Sequence, residues 1–269
     1  MPRSFLRPSA VHVLLGIGIT LAGLVVTGLA IRDQLKSADR TAQAQLVQAA
    51  ERVARVLDDR IQAYVEVAFG LRSLFVVQPD LGRREFSEAV SQLAIDQRYP
   101  GVKNVAFTRY VRGDQREAFE QRVRADRSLD PRGYPEFAIR PPGKRDEYFV
   151  ADYLWPMRGS EGVHGLDLSA QPVNLASMRY ARETGQPVAS GPFDLIQEVS
   201  HRTGFVVRVP VFVGPAAAAG SPPDANAFLG SVAVTIRVFD LFQSLDREGL
   251  LQGVRVSFTD LGSPIVSGV

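Results

Sequence analysis

The chain has no cysteine. Disulfide staples, thiolate nucleophiles and Cys-ligated zinc are therefore excluded. Lysine is nearly missing as well: of 31 basic residues, only Lys36, Lys103 and Lys144 are not arginine. Histidine occurs three times, at His12, His164 and His201, without the spacing of a metal motif. No G-x-S-x-G elbow and no P-loop occur, and Gly16-Ile17-Gly18 lies inside an apolar run, where it is no nucleotide fingerprint. Neither sign of charge is in excess. The formal net charge is +2, and bases alternate with acids through Asp114, Arg116, Glu117, Glu120, Arg122 and Arg124. That pattern makes a solvated helix face rather than the one-sided basic surface that meets phosphates, so nucleic acid is not an expected partner. No cofactor is expected either.

What is present is a globular composition, 45% hydrophobic and 22% charged, in 269 residues, enough for one or two domains. Ala10 to Ile31 carries no formal charge. At about 1.5 Å rise per residue this run spans the roughly 30 Å hydrocarbon layer of a bilayer. A cleaved signal peptide has an apolar core of only about 7–15 residues, which favours an uncleaved transmembrane helix over 10–31 after a short tail, 1–9. Arg3 and Arg7 precede the run, and Arg32, Lys36 and Arg40 follow it. Basic flanks therefore do not set the orientation.

From 33 to 97 a helical stalk and a second helix are expected. Ala50, Leu57, Tyr64 and Leu71 recur every seven residues, with a second stripe of Leu46, Val53 and Val67 broken at Arg60. Such an amphipathic face pairs with a twin helix or packs on its own domain. A homodimer through the stalk is the expectation. Beyond it the pattern predicts helices over 114–125, 172–183 and 239–245. Strands are predicted over 102–111, 137–140, 148–155, 188–199, 205–212, 228–236 and 254–259. The Pro/Gly/Ala-rich stretch 214–226 reads as a loop. The fold class is α+β.

Several short stretches carry a resemblance in their order and spacing. They are Pro100-Gly101, Phe119-Glu120 with Arg122, Phe137-Ala138-Ile139-Arg140, Glu147-Tyr148 and Gly165-Leu166-Asp167-Leu168. Ala181-Arg182-Glu183-Thr184-Gly185, Leu195-Ile196-Gln197-Glu198 and Val209-Pro210-Val211-Phe212 complete the set. Together they resemble the CHASE domain, an extracellular sensory domain of receptor histidine kinases and cyclases. The resemblance implies a long helix bearing two PAS-like α/β subdomains, the membrane-distal one holding a ligand. Here the distal subdomain is expected at 98–213, and a membrane-proximal one starts at 225 and is incomplete at 269. Plant cytokinin receptors of this family are similar through Arg182-Glu183-Thr184-Gly185 and Pro192-Phe193, but carry an aspartate near Pro156. A proline side chain cannot accept that hydrogen bond, so cytokinin is not the expected ligand.

The reading that follows is a ligand-sensing module of a membrane receptor, with its globular part periplasmic or extracellular and its anchor in the inner (plasma) membrane. It signals to a histidine kinase or nucleotide cyclase beyond residue 269. The expected partners are the membrane, a small-molecule ligand and a second copy of the chain. The candidate binding residues are Trp155, Leu166 and Phe193 as apolar walls, with Asp167 and Ser190 as polar contacts. Ser190 is similar to a hydroxyl position of the family pocket. The alternative is a membrane-tethered extracytoplasmic hydrolase. It requires a nucleophile–base or metal constellation that the sequence does not offer, so the chain is not expected to be an enzyme.

Overall fold

The computed structural model describes residues 10–196, 200, 203–214 and 223–252. They divide into two units, 1–53 and 54–269. The expected strand 254–259 and most of the loop 214–226 lie outside the described residues.

The first unit consists, where described, of the N-terminal part of helix α1 (Ala10–Val77). Within it Ile17–Gln34 is long and apolar enough to cross a membrane. Leu21, Leu24, Val25, Val26 and Leu29 are exposed there. Thr27 donates its hydroxyl to the Gly23 carbonyl at 2.8 Å, which satisfies a polar side chain without water.

The second unit is a mixed α+β body around one antiparallel sheet. The rest of α1 presents Leu57, Ile61, Tyr64, Ala68, Leu71 and Phe75 to the sheet at three- and four-residue spacing. The stripe Leu57, Tyr64, Leu71 is thus turned inward on its own unit. Arg60, which interrupts the second stripe, pairs through both Nη2 contacts with the Glu248 carboxylate at 2.6 Å and donates to Ser244. Helix α2 (Arg83–Gln92) starts at Gly82 with Glu85 in its first turn and buries Phe86 and Val90. The chain breaks at Ala94, left-handed at φ 49°, before a single turn, α3 (Ile95–Arg98), so the second helix expected before residue 97 is two pieces. Then come β1 (Val102–Arg112), α4 (Arg116–Ala125), β2 (Glu147–Trp155), α5 (Pro172–Thr184), β3 (Val188–Ala189), β4 (Phe193–Asp194), β5 (Thr203–Phe212), β6 (Phe228–Arg237) and α6 (Val238–Arg247). Proline begins α5, and Gly185, at φ 71°, closes it.

The sheet runs β2-β1-β6-β5-β3, and β4 also pairs with β5. Strand β6 lies between β1 and β5, which corrects the boundary expected at 225. Residues 228–237 complete the sheet begun at 102 rather than opening a second subdomain. Two expected strands also differ. Residues 137–140 contribute one bridge, Arg140 to Leu166, because the Ile139 amide donates to the Glu120 carboxylate at 3.0 Å instead of to a strand. The run 188–199 is cut into β3 and β4 around Ser190-Gly191-Pro192. There the Ser190 hydroxyl takes a partner-strand amide, and Pro192 has none to give. Residues 197–199 lie outside the described residues.

Candidate functional site

The pleat divides the central strands into two unlike faces. Toward α1 and α2 point Val105 and Phe107 of β1, Val232, Val234 and Ile236 of β6, and Phe205, Val207, Val209 and Val211 of β5. The alternating residues are small or polar. Asn104, Ala106 and Thr108 of β1 pair with Thr235, Ala233 and Ser231 of β6. One row crosses five strands as Leu154, Ala106, Ala233, Arg208 and Val188. The next row is Asn104, Thr235 and Val206, and Ser190 exchanges backbone and hydroxyl bonds with Val206. Ala106, Leu154, Val206 and Ala233 form a small apolar floor, against which Met157, Val163 and Phe193 pack. Beyond it, α5 covers the same face through Met178 and Leu175, over Phe149, Phe212 and Phe228. A floor of alanines flanked by hydroxyls, roofed by a loop and a short strand, has the mixture of small-molecule sites: mainly apolar, with a few placed polar groups.

Each face buries cationic groups, and their surroundings differ. On the α2 side Arg83 bonds Asp152 at 2.9 Å and Asp126 at 3.1 Å, between the rings of Tyr134 and Tyr153. Arg109 meets the other Asp152 oxygen at 2.6 Å. Asp152 is the extra residue of a β-bulge: Phe107 pairs with Tyr153 and Thr108 with Ala151, which leaves Asp152 no cross-strand partner and frees it to serve both arginines. Burial alone would raise its pKa, but the charges of Arg109 and Arg83 outweigh that and hold it below the ordinary carboxylate range. His164 lies 3.3 Å from Arg83, against Tyr134 and Phe137. Burial first, then the Arg83 charge, bring its pKa down to about 4.

On the other face Arg208 is fully buried. It donates Nε to Ser177 at 3.1 Å, Nη1 to Ser231 at 2.8 Å and Nη2 to the Asn174 carbonyl, with the Met178 sulfur at 3.4 Å from Nη1. All four neighbours are neutral. Burial lowers its pKa to about 9, which leaves the guanidinium charged at neutral pH.

The CHASE domain family model matches residues 79–265, more than half of the chain. This chain belongs to the CHASE domain family. No curated protein matches it. CHASE domains are extracytoplasmic sensory modules of receptors and bind small molecules, which fits a sheet face of this composition.

Within this CHASE domain the five candidate residues do not form one cluster. Ser190 and Phe193 border the alanine floor. The Ser190 hydroxyl accepts from the Val206 amide at 3.0 Å and donates to the Gly191 carbonyl at 2.8 Å, so its proton is committed to backbone. Trp155 packs with the helix-side core. The period of two sends Leu154, one residue earlier, to the candidate site instead. Leu166 is buried beside β2, bonding Ala151 and Val163 through its backbone. Asp167 accepts from the Phe149 amide at 2.9 Å and from the Ser169 hydroxyl, with Arg145 3.6 Å away. It fixes the turn into 168–170. Arg208, Ala106, Ala233 and Ser231 were not among the candidates. Their signal was present in two strands that alternate small with large, and in one arginine inside an apolar strand.

Proposed function

We propose that the chain is the ligand-sensing part of a membrane receptor. Residues 10–31 anchor it, and the globular unit lies outside the cytoplasm as a PAS-like fold. The bound ligand changes the state of an output domain of the histidine kinase or cyclase type. In this reading the chain itself carries no catalysis. The observation that carries it is the membership of the CHASE family together with the Asn104-Ala106-Thr108 and Thr235-Ala233-Ser231 ladder, a sheet face of small and hydroxyl-bearing residues covered by Met157, Val163 and Phe193.

A route from this face toward the anchor follows from connectivity. Strand β6 supplies Ser231, Ala233 and Thr235 and continues directly into α6, which is held to α1 by Arg60 through Ser244 and Glu248. A ligand that shifts β6 would therefore bias α1. Pairing of two copies belongs to the stretch of α1 before Ala54, where Leu46 and Val47 are exposed, because Leu57, Tyr64 and Leu71 are occupied within the unit.

Two measurements test the proposal. Protease added to intact spheroplasts should digest the globular unit and leave a short membrane fragment. Small-molecule screening by thermal shift should give ligands whose effect disappears in Ala106→Met, which fills the floor. A protected domain, or hits indifferent to Ala106→Met, would defeat the proposal.

A further inference from the structure

We infer that the small molecule held on this sheet face is an organic carboxylate, and that Arg208 is the residue that reads its charge. The inference rests on the ligand-sensing reading above and adds the ligand class to it. A buried charge without a counter-charge is among the most costly features a fold can retain. Arg208 has no carboxylate within ion-pairing distance among the described residues, and its environment is composed of Asn174, Ser177, Ser231 and Met178. Among the described residues a guanidinium with five N–H groups meets three oxygens and one thioether here. The group is thus held in place by neutral partners while its charge stays unmatched.

Its location is what connects this charge to the site. Arg208 stands in the same cross-sheet row as Ala106 and Ala233, two residues along β5 from Val206, the partner of Ser190. That is roughly 7 Å of strand rise, within the length of a small organic acid. A single planar guanidinium suits a planar monoanion, taken side-on by two parallel N–H bonds. A phosphate dianion would leave excess charge in a region whose other polar groups, Thr108, Ser231 and Thr235, are neutral. The competing role is a cross-link that fastens α5 to β5 and β6. That role needs only hydrogen bonds, which a neutral side chain would supply without the charge.

The test uses the full chain in detergent micelles, with thermal unfolding followed through its only tryptophan, Trp155. The probes are acetate, propionate, pyruvate, succinate and benzoate, each compared with its amide at matched ionic strength. At about a hundredfold excess over Kd, at least one acid should raise the midpoint by on the order of 5–10 °C. Its amide should not. Arg208→Met should abolish that shift, and its unliganded midpoint should fall by only a few degrees, since the partners it leaves behind are neutral. Arg208→Lys, which keeps the charge but loses the fork, should weaken affinity at least tenfold, and it decides the matter if the Met variant fails to fold. The inference is overturned if no acid exceeds its amide, or if the shift survives in Arg208→Met. Neutral compounds that stabilise wild type and Arg208→Met but not Ala106→Met would sink the carboxylate inference and leave the sensing site standing. An acid response lost in Arg208→Met but intact in Ala106→Met would do the reverse.

Discussion

The two faces of one sheet handle buried charge in opposite ways. Toward α2, Arg83 and Arg109 converge on Asp152, with Asp126 beside them, and two cations meet two anions. Toward α5, Arg208 meets only neutral groups. The first arrangement can be understood as architecture, because it fastens the start of α2 to a bulge in β2 and closes its own charge. The second leaves a charge that the fold does not need. The same division holds for side-chain size: Phe75 stacks on Phe107 at 4.0 Å on the helix side, whereas on the other Ala106 and Ala233 lie side by side under Met157, Val163 and Phe193.

The largest expected effect tests the charge half of this contrast. Asp152→Ala strands two buried guanidinium groups and should cost about 3–5 kcal/mol in urea denaturation, whereas Arg208→Met, which strands only neutral partners, should cost less, about 1–3 kcal/mol. Equal losses in the two variants would erase the distinction. Phe107→Ala, on the packed side, should cost about 3–5 kcal/mol as well.

Acid sharpens the same comparison, because titration falls on the helix side. The folded pKa of His164, about 4, is below its ordinary 6.5, so between those values the unfolded chain binds more protons. Stability from His164 is therefore complete above pH 6.5 and lost as pH falls toward 4. For Asp152, whose folded pKa is depressed, stability is present above the ordinary carboxylate pKa, about 3.9, and disappears as pH drops through the lower folded value. Denaturation midpoints of His164→Gln should be flatter than wild type between pH 6.5 and 4 and unchanged in slope below. A wild-type profile with no slope in that upper window would refute the assignment.

Ser190→Val comes next. It removes the acceptor for the buried Val206 amide and should cost about 1–3 kcal/mol. A variant of unchanged stability would mean that the hydroxyl is free for ligand after all. Arg60→Met should have the smallest effect, below about 1 kcal/mol, because its partner Glu248 is half exposed.

The elements were legible where one physical signal dominated. Strands β1, β2, β5 and β6 stood out by apolar alternation, and α5 by Pro172 and Gly185. The site was half legible. Ser190 and Phe193 flank it, but the pleat turns Trp155, expected as an apolar wall, to the helix side. A bulge at Asp152 shifts which residues of β2 share a face, and a bulge has no sequence marker. The Pro/Gly/Ala-rich loop before β6 and the family resemblance place that strand in another subdomain. Its place between β1 and β5 depends on pairing partners more than a hundred residues away for β1. Local pattern carries no such information.

That distant pairing also has a consequence for how the molecule is made. Strand β1 lacks its inner neighbour until 228–237 has been synthesised, so the nascent chain holds an open apolar edge in the meantime. At about 5–20 residues per second the wait is roughly 6–25 s. The hydrogen bonds that join the two halves of the sheet close long loops and are expected to form slowly. Biogenesis of this domain is thus a late, single event that follows emergence of β6, and exposure to chaperones and proteases is concentrated in the interval before it.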